Sequence, residues 1–292
     1  MSGDVRSDNT SGEARNDSRA RPGLRSVLGR VGLYALATFF ALWILLPMYF
    51  ITIAAFSTPD DVFAYPKKLL PTNLSTETLE FFFGSSGILD ALRMSVVVAA
   101  LTLLIALTVG TPAGYALARF AFRGSGSFRL VVVSTRAFPI IILSIPLAVT
   151  YLRVGIDDTA LGVALTHTAL ALPFVVLVTA SVFAGISEEL EEAAMTLGCT
   201  RVSAFRRVAL PLALPGLAAA AIFTFIISWN EVFAASILTL QNRTLPAEML
   251  AVLNQSPLHF RFAGGFFLMV PSLIVILVIR KYLFTMWGRV SR

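Results

Sequence analysis

The sequence predicts an all-α integral membrane protein with six transmembrane helices, and two observations carry that prediction. Of its 292 residues, 57% are hydrophobic and 14% are charged, whereas soluble domains carry about 25% charged residues. Apolar runs also recur along the chain at the length of about 20 residues that a helix needs to cross the hydrocarbon core of a bilayer.

Six apolar segments define the predicted spans, and more polar stretches separate them. They cover approximately residues 30–56, 90–118, 128–152, 160–184, 211–240 and 264–287. The first segment is too long for the core of a signal peptide and has no small-residue cleavage site near it, so we expect it to remain as an anchor.

The chain divides into a polar tail and one transmembrane domain. Residues 1–26 are rich in Ser, Asp, Asn and Arg and lack the apolar side chains needed to form a core, which predicts a disordered tail. Residues 27–292 form the predicted transmembrane domain.

The distribution of Lys and Arg predicts the orientation of the spans. Most of the 23 Lys and Arg residues lie in the tail and beside the ends of the second, fourth and sixth spans that face the same side. Because Lys and Arg accumulate in cytoplasmic loops, both termini and the loop between the fourth and fifth spans are predicted to be cytoplasmic.

Residue usage argues against several function classes. The single cysteine, Cys199, rules out an internal disulfide, and two histidines, His167 and His259, cannot build a histidine metal cluster. We find no paired carboxylates, no Ser/His arrangement and no GxxxxGK[ST] phosphate loop. The sequence therefore predicts neither an enzyme nor a chain that binds a cofactor, and its net charge of +6 follows membrane topology rather than nucleic-acid binding.

Glycines and prolines interrupt several spans. The stretch "GTPAG", from Gly110 to Gly114, fits the small-xxx-small pattern that lets two membrane helices approach closely. Prolines within or at the start of spans are either the kinks of helices around a polar path, as in transporters, or the ordinary composition of membrane helices. They are Pro112, Pro139, Pro146, Pro173, Pro211, Pro215 and Pro271.

Residues 187–211, here called the charged loop, are predicted to form two short helices joined at Gly198. Acidic residues crowd the first turn after Ser187, where the helix dipole favours them, and a second helix through Val202 and Phe205 leads to Pro211. An amphipathic helix lying on a membrane would be rich in Lys and Arg on its polar face. Because the leading half is acidic instead, we expect it to contact another protein.

The charged loop resembles the EAA motif of ABC importer permeases, whose usual form is EAA, three residues, G, nine residues, I, one residue and LP. The matching positions are Glu192, Ala193, Ala194, Gly198, Val208, Leu210 and Pro211. Val208 replaces the usual Ile, Leu197 stands where Asp is usual, and Cys199 takes a common Ala position. The stretches "LARFAFRG" and "SWNEVF" are similar to the carbohydrate branch of these permeases, of the kind found in maltose importers.

This resemblance implies a subunit of a larger assembly in the bacterial inner membrane. The implied partners are a second, different permease chain, two subunits that bind ATP and Mg²⁺, and an extracytoplasmic substrate-binding protein. Within the charged loop, Glu192 would contact the ATPase, Ala193 and Ala194 would form the close-packing face, and Gly198 would make the turn. The implied coupling set is completed by Phe205, Leu210 and Pro211.

Polar residues inside the spans are the candidates for the translocation path. Arg136 lies in the third span. Because an Arg at the centre of a membrane helix raises the free energy of insertion by about 2.5–3.5 kcal/mol, we expect its side chain to face protein or water. It either lines the path or pairs with a carbonyl or acid. Trp229, Asn230 and Glu231 either line the path, with the indole stacking on a sugar, or pair across the partner permease. Alternatively, Trp229 belongs to an interfacial aromatic belt. His167 is predicted to be a helix-packing residue rather than a ligand.

The extracytoplasmic loops are predicted to receive the binding protein. Asp60, Asp61, Lys67 and Lys68 in the first of these loops are the candidate contacts.

Two other functions stay open at this point. One is a permease of the same superfamily that carries polyamines, osmolytes or polyol phosphates, against which the "SWNEVF" stretch argues. The other is a stand-alone secondary transporter, although such carriers usually show inverted repeats and several buried ionisable groups.

Overall fold

The computed structural model describes residues 24–66, 70, 73–120 and 122–290, and for 24–27 and 279–290 it describes the helical backbone alone. All regular structure in these residues is helical, which confirms the all-α part of the predicted fold class. The α-helices are α1 Leu24–Ala55, α2 Pro59–Phe63, α3 Glu77–Gly84, α4 Ile88–Arg119, α5 Ser125–Ser134, α6 Ile140–Val154, α7 Ala160–Ala184, α8 Glu189–Thr196, α9 Arg201–Ala204, α10 Leu210–Trp229, α11 Phe233–Leu238, α12 Leu245–Val252 and α13 Leu258–Val290. Most of the predicted tail, together with Lys67 and Lys68, lies outside the described residues.

Within the described residues, five helical segments are long and apolar enough to cross a membrane, and a bent pair raises the number to six if it counts as one span. The bent pair corresponds to the third predicted span. Its first half, 125–137, ends in a 3₁₀ turn, and its second half, α6, runs off at 88°. Phe138 is extended, with φ −81° and ψ 121°, because the ring of the following Pro139 disfavours the helical conformation there. The predicted third span, 128–152, therefore consists of two helices joined at a sharp bend beside Pro139 rather than of one continuous helix.

The fifth span also differs from its predicted range of 211–240. It begins at Arg201 and runs through α9, a π-helical turn at Phe205–Ala209, and α10. The π-helical turn precedes Pro211, which has no amide hydrogen to donate to the preceding turn. The span ends at Trp229, and α11 is a separate helix.

Contacts divide the chain into two compact units, residues 1–49 and 50–292. In the first, α1 runs to Tyr49 as a long helix whose large apolar side chains, such as Phe39 and Trp43, are exposed. Such a surface suits the hydrocarbon of a bilayer.

The second unit is organised around α4 and α7, with α10 packed against both. A Cβ on Gly110 would lie 2.6 Å from Val175 Cγ1, and one on Gly114 would lie 2.8 Å from the backbone of α7 at Ala180. Gly216 brings α10 equally close to α7 at Val182. The close approach predicted from "GTPAG" is thus confirmed.

Candidate functional site

The charged loop forms two short helices, α8 and α9, with Gly198 between them, as predicted. Gly198 has φ +93°, a conformation that glycine adopts without steric cost. The amides of Gly198 and Cys199 donate to the carbonyls of Met195 (3.0 Å) and Ala194 (3.1 Å), which closes the end of α8 in the manner of a glycine C-cap. Gly198 therefore fixes the angle at which the chain enters α9.

Much of the surface of the charged loop is exposed, and part of that surface is apolar. Glu192 and Ala193 are exposed, and Ala194 is half-buried. Leu197 is 87% exposed and Val202 is 61% exposed. The exposed surface of the loop therefore combines an acid with aliphatic side chains.

The neighbouring acid, Glu191, faces the opposite way and is buried. Its Oε1 accepts a hydrogen bond from Arg119 Nε at 2.8 Å, and its Oε2 accepts one from the hydroxyl of Tyr115. Arg119 also donates from Nη2 to the carbonyl of Ile186 at 2.8 Å and lies 3.7 Å from Glu188 Oε1. The loop is thus bonded to the C-terminal end of α4 through side chains that the sequence analysis did not single out.

Aromatic rings pack beneath this ion pair. The ring of Tyr115 lies 4.5 Å from that of Phe205 and 5.3 Å from that of Phe183, centroid to centroid. Phe205, which the resemblance assigned to the coupling set, is therefore half-buried in contacts within this chain. Leu210 packs on the same cluster, whereas Pro211 is exposed.

A second polar cluster is buried where α4, α7 and α10 meet. His167 is fully buried, with Nδ1 2.9 Å from Ser228 Oγ and Nε2 3.2 Å from Glu231 Oε2. Ser228 in turn donates to Thr102 Oγ1 at 3.4 Å. Both ring nitrogens of His167 are therefore bonded inside the bundle, in agreement with its predicted packing role.

Glu231 also defines the break that ends the fifth span. Its two oxygens accept the amide hydrogens of Ala234 at 2.8 Å and Ala235 at 2.9 Å. A carboxylate that accepts the first free amides of a helix stabilises a helix start, so α11 begins anew instead of continuing α10.

A comparison with known proteins shows the family of this chain. Residues 110–286 match the family described as "Binding-protein-dependent transport system inner membrane component". The chain belongs to this family. It is therefore a multi-pass inner-membrane permease subunit of a binding-protein-dependent ABC importer, a family whose members are not the catalytic subunits of these transporters.

Relatives of this permease include two with named solutes. It is 31% identical to the trehalose transport system permease protein SugB of Mycobacterium tuberculosis, over 73% of this chain and 80% of that protein. It is 28% identical to the diacetylchitobiose uptake system permease protein NgcG of Streptomyces coelicolor, over 85% of this chain and 84% of that protein.

A solved structure shares the fold of the permease. A chain of a bacterial ABC transporter involved in the import of the acidic polysaccharide alginate aligns with TM-score 0.71 and 22% identity, covering 89% of this chain and 98% of that one.

The four predicted path residues of the permease fall into two groups. Trp229 is buried, stacks on Phe225 and donates from Nε1 to the carbonyl of Leu268 at 2.9 Å, and Glu231 is enclosed as described above. Asn230 and Arg136 are exposed. Within the described part of the chain, Arg136 makes neither a hydrogen bond nor an ion pair.

At the opposite end of α4 from the charged loop, the permease has a polar cleft of about 520 Å³ that the sequence analysis missed. Its lining includes Asp90, Arg93, Arg243 and Glu248. Arg243 and Glu248 form an ion pair at 3.4 Å. No local pattern marks this cleft, because its two walls are far apart in the sequence.

Proposed function

We propose that this permease forms half of the translocation path of a carbohydrate importer and that ATP-hydrolysing subunits drive it through the charged loop. The observation that carries the proposal is the exposed surface of that loop. It presents Glu192, Ala193, Leu197 and Val202 to a partner, while Gly198 fixes the angle between its two helices. In this assignment Glu192 makes the polar contact, and Ala193 and Ala194 allow close packing.

The complete assembly in this proposal has a second permease chain, two ATPase subunits that hold ATP and Mg²⁺, and an extracytoplasmic binding protein. This chain binds no cofactor itself. Both termini and the charged loop are cytoplasmic, as the distribution of Lys and Arg supports. Arg136 and Asn230 are the exposed candidates for the path.

The carbohydrate assignment rests on the solutes named for two relatives, trehalose and diacetylchitobiose. It is tested on the cognate binding protein by a thermal-shift screen of disaccharides, polyamines, osmolytes and polyol phosphates. We expect a disaccharide to raise the melting temperature of the binding protein. A rise with one of the other classes and with no disaccharide would contradict the sugar assignment.

The coupling role is tested by reconstituting the permease with its companion subunits in liposomes. Glu192→Lys is expected to reduce solute uptake while membrane insertion stays at the wild-type level, because the reversed charge opposes the contact with the ATPase. Glu192→Gln keeps the shape and hydrogen-bonding capacity and separates charge from packing. Uptake by the purified permease alone, with no ATPase co-isolating, would contradict the proposal.

A further inference from the structure

We infer that the Arg119–Glu191 ion pair, closed by Tyr115, is an anchor that makes the charged loop move together with α4. This inference rests on the proposed coupling function of the loop and assigns positioning residues to it. None of the three residues belongs to the exposed surface assigned to the ATPase. They act on coupling by fixing the position of α8.

The anchor forms bonds to α8 and to the residues just before it. Arg119 bonds Glu191 Oε1 and the carbonyl of Ile186, both at 2.8 Å, and lies 3.7 Å from Glu188 Oε1. Tyr115 bonds the second oxygen of Glu191. The side chains of Arg119 and Glu191 are 6% and 7% exposed, so water does not readily replace these bonds.

The anchor adds a second connection between α8 and the spans, beside the chain itself. Along the chain, α8 is joined to α7 through residues 185–188 and to α9 through residues 197–200. A force applied to α8 would pass through these two connections to α7 and α9 but not directly to α4. The anchor passes it to α4 as well.

The anchor passes the force to a rigid group of spans. Tyr115 packs against Phe183 of α7 and Phe205 at the start of the fifth span. Gly114, the residue before Tyr115 in α4, lies against the backbone of α7. Because tightly packed helices move as a body rather than deform, α4, α7 and the start of the fifth span follow α8 together.

The two adjacent acids of α8, Glu191 and Glu192, therefore have different tasks. Successive residues of an α-helix point about 100° apart, since one turn contains 3.6 residues. Glu191 points towards α4 and holds the helix, whereas Glu192 is exposed for the partner.

The test measures ATP hydrolysed per solute moved by the complete transporter in liposomes, with Glu191→Gln, Arg119→Gln and Tyr115→Phe compared with wild type. The first two are expected to raise this ratio about 5-fold or more, the lower end of the range for coupling between sites, while the ATPase co-isolates normally. Arg123→Gln is the control with an unchanged ratio. Arg123 is exposed near the same end of α4 and has no bond among the described residues.

A charge swap, Arg119→Glu with Glu191→Arg, is expected to restore at least part of the coupling. A wild-type ratio in an assembled Glu191→Gln transporter would overturn the anchor and leave the proposed function standing. Failure of the wild-type permease to co-isolate with an ATPase would instead overturn the proposed function. If the Gln variants do not insert, Arg119→Lys decides, because it keeps the positive charge but loses the planar guanidinium that bonds Glu191 and the carbonyl of Ile186 together: a raised ratio supports the anchor and an unchanged one overturns it.

Discussion

His167 Nε2 lies 3.2 Å from Glu231 Oε2, although the two residues are 64 positions apart in the sequence. The same carboxylate accepts the first amides of α11 at Ala234 and Ala235. One buried acid thus connects α7 to the point where the fifth span stops, so its removal affects two elements at once.

Glu231→Ala is expected to destabilise the permease by at least about 1–3 kcal/mol, because buried donors that lose their acceptor pay their desolvation cost. The measurement is the thermal unfolding midpoint in detergent. Asn230→Ala, at the exposed neighbouring position, is the control and should lower the midpoint less. Equal midpoints for the two variants would contradict the assigned role of Glu231.

Trp229→Phe is expected to cost about 1 kcal/mol of stability through loss of the hydrogen bond to Leu268 and to leave the half-saturation of uptake unchanged. The indole is 2% exposed and offers no free face to a solute in this conformation. Uptake kinetics in liposomes check this expectation. A changed half-saturation at unchanged stability would place Trp229 in the translocation path.

Gly114→Ala is expected to cost about 1–3 kcal/mol, as overpacking does, because the new methyl group would lie 1.9 Å from Thr179 Oγ1 and 2.8 Å from the backbone of α7. Gly126→Ala is the matched control. That glycine is also helical and has nothing within 4 Å of the added atom, so its replacement should be neutral or stabilising. Unfolding midpoints that do not separate the two variants would refute the close packing of α4 and α7.

Gly198→Ala is expected to weaken co-isolation of the ATPase with the permease, because the left-handed conformation costs an alanine about 1–2 kcal/mol and shifts the angle between α8 and α9. Gly84→Ala, at a helical glycine with open space around it, serves as the control. Wild-type recovery of the ATPase with Gly198→Ala would show that this angle does not matter for docking.

Asp158→Ala is expected to speed amide hydrogen exchange at residues 240–242. The Asp158 carboxylate accepts hydrogen bonds from the amides of Leu240, Gln241 and Asn242 at 2.8, 3.2 and 3.0 Å. Hydrogen-bonded amides exchange only through local opening, so the loss of this acceptor removes their protection. Asp157→Ala is the control, since Asp157 has no hydrogen bond among the described residues. An unchanged exchange rate at these amides in Asp158→Ala would show that the Asp158 carboxylate does not protect them.

Prediction from the sequence succeeded where the signal is local. The helical class, the positions of most spans and the two short helices joined at Gly198 follow from hydrophobic runs and from one glycine with acids before it. The sequence analysis marked Pro139 but treated the third span as one helix. A proline shows where a break can form, whereas the 88° angle depends on how the two halves pack.

The sequence by itself determined that this protein is a helical membrane permease with an acidic loop of two short helices, because hydropathy and motif spacing act over short stretches of chain. The tertiary structure alone decided that Glu191 is the buried, ion-paired acid and Glu192 the exposed one. Both are glutamates in the same acidic run, and the sequence does not distinguish them. Their surroundings differ because the end of α4, with Arg119 and Tyr115, packs against one face of α8, and contacts between distant segments are set by helix packing rather than by local pattern.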